Sequence, residues 1–274
     1  MIVRYMGGLG NQLFQYAFGK ACEKEYGIKV KYDTFSYVRD KKRVYELGAF
    51  NISLNSKLNV IYQLFVNILF YLKVNAAKIF VYEKKEFGYL KPQVNDYAKY
   101  FVGHWQSTKY FESVKQELSE EFVLKNVPPN INDLYKSIVE NKQSVAVHVR
   151  RGDYVGLQGY VLQSMDYYTE AMNLVKQKIQ NPVFYCFSDD IEWCKANFDN
   201  VSNNIHFIEE NSTAEDFMLM RACHGFVISN STYSWWPAYL SDSTIKIAPF
   251  KWFVDEQTNQ DVNMALLIGF TCLG

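Results

Sequence analysis

The five cysteines include no C-x-x-C pair, no two of the four histidines stand as H-x-x-x-H, and no D-x-D triplet occurs. The usual sequence marks of a metal site are therefore missing. Neither G-x-S-x-G nor a Cys/His arrangement marks a covalent nucleophile. No G-x-x-x-x-G-K-[ST] loop marks a nucleotide cradle. No secretory leader is expected, because Met1-Ile2-Val3-Arg4 runs straight into a strand and a glycine loop. Cys22, Cys186, Cys194, Cys223 and Cys272 are odd in number and widely spaced. That pattern fits a reduced compartment, so a cytoplasmic location is expected. Cys186 lies in an apolar run and reads as a small apolar filler. There is no internal repeat and no low-complexity tract.

Long apolar runs are scarce. Leu58–Val74 is the one membrane candidate, and it is shorter than the ~20 apolar residues a spanning helix needs. Asn59, Gln63 and Asn67 cut a polar stripe along one helical face. The segment reads as a mostly buried helix or as a helix lying on a membrane surface. Net charge is also missing: 29 Lys and Arg balance 29 Asp and Glu. The balance hides an asymmetry. Residues 1–137 hold 20 basic and 13 acidic side chains, a balance of +7, and residues 138–274 hold 9 and 16, a balance of −7. This argues against a uniformly basic nucleic-acid binder. The basic front half would favour contact with anionic lipid. Its densest run, Lys41-Lys42-Arg43, reads as a solvated loop.

What is present is a chain that can bury a large core, with 49% hydrophobic residues, 21 Tyr, 20 Phe and 5 Trp. Most of these aromatics are expected in core packing, and they favour sugar stacking only weakly. The pattern predicts a strand at Ile2–Met6, the loop Gly7-Gly8-Leu9-Gly10-Asn11-Gln12, and a helix to about Glu25. Leu13, Phe14, Ala17 and Ala21 form the helix's apolar face. Gly27 ends it, and Ile28–Tyr32 is the next expected strand. The middle, roughly Lys57 to Glu121, is expected to be mostly helical and irregular. Pro128-Pro129-Asn130 is the linker candidate.

After that point the rhythm is regular. Strands are expected at Ser144–Val149, Val183–Phe187, Ile205–Ile208, Gly225–Ser229 and Thr244–Ala248. Helices are expected at Asp166–Ile179, Ile191–Asn197, Thr213–Cys223 and about Thr232–Leu240. Such alternation predicts an α/β fold whose parallel sheet is covered on both faces. Ligands of these sheets sit outside the carboxyl ends of the strands. His148–Asp153, Ser188-Asp189-Asp190, Glu209-Glu210-Asn211 and Ser229–Thr232 all fall at such ends.

The most informative stretch is Ser144–Tyr154, S-V-A-V-H-V-R-R-G-D-Y. A buried strand delivers Arg150 and Arg151 to a glycine turn, which suits a bound anion, since guanidinium is planar, permanently charged and bidentate. The competing reading is a pair of surface salt bridges. His148 is either a buried hydrogen-bonder or a ligand contact. Asp153 fits three roles: orienter of an arginine, base, or cap. The Gly7–Gln12 loop is not the dinucleotide fingerprint, because Leu13 stands where the third glycine would be. It is either a plain turn or a place of close backbone approach to a ligand, and Gly10 is its candidate for a ligand contact. Ser212-Thr213-Ala214-Glu215 reads as a capping box. Asp216 then compensates the helix dipole or accepts N–H bonds from a purine edge. Ser231 and Thr232, at a strand-to-helix turn, can offer hydroxyls and N–H groups to a phosphate. Trp235-Trp236 reads as core. With no metal motif, arginines and helix N-termini would carry the charge of a leaving diphosphate.

These residues together resemble the bacterial α-1,2-fucosyltransferases, glycosyltransferase family 11. The landmarks are G-G-L-G-N-Q-L-F-Q-Y-A at 7–17, H-V-R-R-G-D-Y at 148–154, F-S-D-D at 187–190, and D-F-M-L-M-x-x-C with S-N-S-T-Y-S-W-W across 216–236. The resemblance implies a glycosyltransferase B-type fold, with two Rossmann-like domains facing a cleft. The domains are expected at 1–137, the acceptor side, and 138–274, the GDP-sugar side. It also implies GDP-β-L-fucose as donor, inversion at the anomeric carbon, and no metal or other cofactor. The implied acceptor is a galactose-terminated glycan, possibly lipid-linked, within surface polysaccharide synthesis. Carried over by position, Arg150 holds the β-phosphate, His148 seats the nucleotide, and Asp216 reads guanine. Ser231 and Thr232 contact phosphates, and Asn11 sits near the reacting centre. Arg151 and Asp153 match the motif with less settled roles. Related α-1,6 enzymes carry a glutamate shortly after H-x-R-R. Gln158 stands near that place here and cannot take a proton, which leaves Asp153 as the candidate base. The rival readings are another nucleotide sugar or linkage, or an inactive carbohydrate- or nucleotide-binding protein.

Overall fold

The computed structural model describes residues 1–52, 61, 64, 65, 68, 81–84, 87–92, 94, 100–198 and 201–274. The chain divides into two compact units, Met1–Val123 and Leu124–Gly274.

The first unit carries a parallel sheet ordered β2-β1-β4-β3. Its strands are β1 Ile2–Arg4, β2 Lys31–Asp33, β3 Val81–Glu83 and β4 Tyr100–Val102. The long helix α1, Leu9–Tyr26, follows β1. Its apolar face is buried as the periodicity requires: Leu13, Phe14, Ala17 and Ala21 are all at or near zero exposure. The helix ends where the next residue, Gly27, takes φ 63° and donates its N–H to Glu23. That left-handed conformation is one glycine adopts at little steric cost. Gly19 keeps α1 close to β2, since a Cβ there would collide with the Tyr32 ring and hydroxyl. Two short helices, α2 Ser36–Arg39 and α3 Lys115–Glu121, and 3-10 turns at Leu47–Ala49, Thr108–Tyr110 and Glu112–Val114 also belong to this unit. Strands β3 and β4 fall in the stretch expected to be helical. Three-residue strands leave almost no period-2 signal, which is why the pattern did not separate them.

The second unit holds a six-stranded, all-parallel sheet ordered β10-β9-β8-β5-β6-β7. The strands are β5 Ser144–Val149, β6 Val183–Ser188, β7 Ile205–Phe207, β8 Gly225–Val227, β9 Lys246–Pro249 and β10 Thr271–Leu273. The helices are α4 Pro129–Glu140, α5 Met165–Lys178, α6 Ile191–Phe198, α7 Thr213–Ala222, α8 Thr232–Leu240 and α9 Glu256–Leu266. Every residue of β5 is buried. It lies between β8 and β6 with Val145, Val147 and Val149 in the core, as a two-faced parallel strand must. Trp235 and Trp236 are fully buried, and Trp235 Nε1 donates to Leu266 O at 2.8 Å.

The expected linker at Pro128–Asn130 is instead the start of α4. Pro128 is its N-cap and Pro129 its first residue. Proline suits that position, because its missing N–H would be unpaired there anyway. The units divide at Val123/Leu124 rather than at 137/138, since α4 packs on α7 of the second unit. Cys22, Cys186, Cys194 and Cys223 are buried free thiols, and Cys272 is exposed and free. Among the described residues no helix is long and apolar enough to cross a membrane. Leu58–Val74 lies largely outside the described residues. Within it Ile61, Leu64, Phe65 and Ile68 are helical and exposed, so the buried reading does not hold for these four.

Candidate functional site

In the second unit the chemistry-bearing residues gather at the carboxyl ends of β5, β6 and β8, which are neighbours in the sheet. β5 delivers His148 and then Arg150, Arg151 and Asp153. β6 delivers Asp189 and Asp190. β8 leads to Ser229–Thr232 and the N-terminus of α8.

Both arginines are paired with carboxylates. Arg150 Nη2 donates to Asp153 Oδ1 at 2.6 Å, and Arg150 Nη1 lies 2.9 Å from Asp189 Oδ2. Its guanidinium also sits 5.5 Å from the centre of the Tyr154 ring. Arg151 Nε donates to Asp190 Oδ2 at 3.2 Å while its guanidinium stacks 3.9 Å from the Trp193 ring centre. Asp189 does more than pair. Its Oδ1 accepts the backbone N–H groups of Arg151 and Gly152 at 2.9 and 3.1 Å. Gly152 is required for this, because a Cβ there would meet Asp189 Oδ2 at 2.7 Å. The salt-bridge reading of the arginines is thus what the geometry contains. It does not exhaust Arg150, whose guanidinium has five N–H donors and is partly exposed. Two carboxylates fix it in one orientation with donors left over. Of the roles open to Asp153, the observed contact is that of an orienter.

His148 is buried, with Nδ1 2.9 Å from Ser229 Oγ. Burial, aided by the charge of Arg150, lowers its pKa to about 3, so the imidazole is neutral. It ties the arginine loop to the loop after β8. A second tie runs from the Tyr154 hydroxyl to Asn230 O at 3.2 Å. Asn230 Nδ2 in turn holds Val161 O and Trp252 O at 2.8 and 2.9 Å. Ser231 caps α8, its hydroxyl accepting from Tyr233 N, and Thr232 opens the helix. A helix N-terminus beside a fixed guanidinium is a place for a diphosphate, since N–H groups, dipole and charge all favour an anion.

Asp216 lies in the first turn of α7, after the capping box formed by Ser212 and Glu215. Burial raises its pKa to about 6, the hydrogen bond from Asn211 Nδ2 at 3.0 Å opposes the rise, and Glu215 adds to it. Tyr233 connects this helix start to the rest. Its hydroxyl donates to Thr213 O at 2.6 Å, and its ring lies 5.5 Å from that of His148 and 6.2 Å from that of Phe217. His148, Arg150 and Asp153 are thus linked to the loop that carries Ser231 and Thr232, and Tyr233 ties that loop to the start of α7, the helix that carries Asp216. Arg151 is held at its edge by Trp193 and Asp190. Sequence reasoning singled out neither Tyr233 nor Trp193. The signal was the aromatic after S-N-S-T and the tryptophan one turn past the acidic pair.

Gly10 and Asn11 lie in the first unit. Asn11 Oδ1 accepts from Gln106 Nε2 at 2.8 Å, and Gly7, with φ 78°, leaves no room for a side chain beneath Asn11 Nδ2. Among the described residues no group of three or more His, Cys, Asp or Glu could hold a metal ion.

The sequence profile described as Glycosyl transferase family 11 matches residues 45–271. An alpha-1,2-colitosyltransferase of Escherichia coli is 34% identical over 281 residues, covering 94% of each chain. The O-antigen biosynthesis glycosyltransferase WbnK of Escherichia coli is 31% identical, covering 90% of this chain and 93% of the relative. Among solved structures, NodZ alpha-1,6-fucosyltransferase soaked with GDP-fucose superposes with a TM-score of 0.50 at 12% identity, covering 88% of this chain and 92% of NodZ. At that identity the likeness shows the fold: two Rossmann-like units of the glycosyltransferase B type.

Proposed function

The chain belongs to glycosyltransferase family 11, and we propose that it transfers L-fucose from GDP-β-L-fucose to the 2-hydroxyl of a terminal galactoside. The transfer inverts the anomeric centre and serves the assembly of an O-antigen-type surface polysaccharide. The observation that carries this reading is Arg150. It is fixed by Asp153 and Asp189 at the end of β5, and the β5 loop is tied through His148 to the loop that leads into the N-terminus of α8. In the proposed step an acceptor oxygen bonds to C1 of fucose as the bond from C1 to the β-phosphate oxygen breaks. The electron pair leaves with GDP, and the acceptor proton passes to a base. Arg150 and the N–H groups of α8 stabilise the charge that grows on the diphosphate, and no metal is needed for that. His148 stays neutral and keeps the two loops in register. Asp216 accepts the N1–H and amino N–H of guanine.

A second reading takes GDP-colitose as donor, and the colitosyltransferase relative favours it. Colitose is fucose without its 3-hydroxyl. A site that hydrogen-bonds that hydroxyl rejects the deoxy sugar strongly, whereas an apolar pocket discriminates only weakly. The test is turnover of both donors against a panel of β-galactosides, with the product linkage assigned by NMR. Turnover of GDP-fucose with an α-1,2 product supports the first reading. Turnover of GDP-colitose alone replaces the donor, and a linkage other than α-1,2 replaces the regiochemistry.

A further inference from the structure

Beside the arginine loop, the second unit uses three buried amides to hold a pair of aromatic rings at its surface. Tyr160 and Phe253 pair across an isolated antiparallel bridge, with ring centres 4.8 Å apart. Val161 N donates to Trp252 O at 3.1 Å, and Val254 N to Gly159 O at 3.0 Å. Gly159, at φ 90°, turns the chain into this pairing. Asn230 Nδ2 clamps both sides through Val161 O and Trp252 O. Asn259 Oδ1 accepts from Trp252 N and Phe253 N at 2.9 and 2.8 Å, and its Nδ2 donates to Phe253 O at 2.8 Å. Gln163 Nε2 holds Lys251 O at 2.8 Å. All three amides are buried, and so is Trp252. A satisfied buried polar network of this kind fixes one geometry.

The rings it fixes are not core. Phe253 is only half-buried and Tyr160 is exposed. Val155, Leu157, Leu162 and Val254 on the same two loops are exposed as well. Apolar side chains gathered at a surface in this way mark a binding site. The row also leads to Arg150. The Tyr154 ring lies 4.9 Å from that of Tyr160, and the Arg150 guanidinium sits 5.5 Å from the Tyr154 ring centre.

We propose that Tyr154, Tyr160 and Phe253 form the subsite for the donor's 6-deoxyhexose and select for its methyl group. The proposal rests on the reading of the chain as a fucosyl- or colitosyltransferase. The hexose is bonded to the β-phosphate, so a phosphate held by Arg150 brings the sugar to the rings beside that guanidinium. Fucose and colitose both carry a methyl on C5. That methyl and the C–H groups next to it give the sugar an apolar face, which suits large, rigid aromatic surface. A hydroxyl added to the methyl would lose water against the rings and gain no partner from them. Apolar surface rejects such an added hydroxyl by up to about 100-fold.

The experiment measures affinity for GDP, and affinity and turnover for GDP-fucose, GDP-colitose and GDP-β-L-galactose, in wild type, Tyr160→Ala and Phe253→Ala. GDP-β-L-galactose is GDP-β-L-fucose with a hydroxyl on C6. Wild type should prefer the 6-deoxy donor it transfers over GDP-β-L-galactose by roughly 10- to 100-fold. Each alanine variant should raise the donor KM roughly 10-fold and shrink that preference at least about 3-fold. GDP affinity should stay within about 2-fold, which also certifies the fold of the variants. A preference unchanged in both variants overturns the subsite. So does a loss of GDP affinity as large as the loss of GDP-sugar affinity, because the rings then serve Arg150 and not the sugar. A wild type that accepts GDP-β-L-galactose as well as GDP-fucose overturns it too. A wild type that transfers neither fucose nor colitose overturns the transferase reading and the subsite with it.

Discussion

Replacing Asp216 by asparagine should make the protein more stable and a poorer binder of GDP. Burial lifts the carboxyl from 3.8 to about 6. At 1.36 kcal/mol per pH unit, that difference corresponds to about 3 kcal/mol of disfavoured ionisation at neutral pH. Asparagine keeps an oxygen for the Asn211 amide and carries no charge to desolvate. Water penetration reduces the effect, so a gain of about 1–3 kcal/mol is expected at pH 7.5. The sign follows from proton binding. Between pH 3.8 and 6 the folded carboxyl holds more protons than the unfolded one, so this group's stability contribution falls as pH rises through that window. The difference between variant and wild type is therefore largest above pH 7 and vanishes near pH 4. For a domain of this size the melting temperature should rise by roughly 5 °C at pH 7.5.

The same substitution puts an amide N–H where guanine's own donors must be accepted. Hydrogen bonds to a charged acceptor are worth ~1.5–3 kcal/mol, so GDP affinity should fall roughly 10- to 100-fold at pH 7.5. In wild type, GDP affinity should weaken as pH drops below about 6, while the variant's stays flat. Thermal melts at pH 4.0 and 7.5, with calorimetric GDP titrations, read both effects. A variant no more stable than wild type at pH 7.5 refutes the desolvation argument. A more stable variant with unchanged GDP affinity removes Asp216 from base recognition.

Arg150→Ala should lose at least ~100-fold in turnover, because a preorganised charge stabiliser is gone; an unchanged rate takes Arg150 out of the mechanism. Gly152→Ala places a Cβ 2.7 Å from Asp189 Oδ2. Asp189 must shift and release Arg150, so turnover should drop roughly 10- to 100-fold with the fold retained, as small displacements of catalytic groups do. Kinetics of the variant set against wild type, with circular dichroism to confirm its fold, check this, and a normal rate shows that Asp189 does not set the arginine's position. Turnover in EDTA should equal that in added Mn²⁺, since arginine and helix N-terminus take the diphosphate's charge; strict Mn²⁺ dependence contradicts that account.

In the second unit β5 and β6 were readable because each runs six mostly buried residues, and the short β7 and β8 because polar turns and helical patterns bracket them. Ser144–Val149 and Thr232–Leu240 stand in the structure where the pattern placed them. In the first unit β1 and α1 were readable, since a glycine loop and a glycine stop bracket the helix. Three-residue strands such as Tyr100–Val102 carry too few residues for alternation to register, and here no regular run of helices brackets them as it does in the second unit. The helix at Pro129–Glu140 was hidden by its own start signal, because two prolines read as a break when they stand at N-cap and N1.

The arginine pair shows how far its surroundings go beyond what its sequence position suggests. Adjacent arginines after a buried strand announce an anion, yet three carboxylates, Asp153, Asp189 and Asp190, neutralise them. The cluster is net negative, so raw charge alone does not attract a diphosphate. What it offers is orientation. A free arginine side chain loses up to ~2 kcal/mol of rotamer entropy when fixed, and Asp153 and Asp189 have already taken that loss at Arg150. In the proposed reading the attraction comes from a guanidinium edge that cannot turn away and a helix N-terminus with no acidic side chain in its first turn. Arg151, flat on Trp193, is spent on holding the loop to α6. Two identical neighbours in sequence thus divide the work, one facing charge and one bracing it, and the division follows from which aspartates β6 delivers beside them.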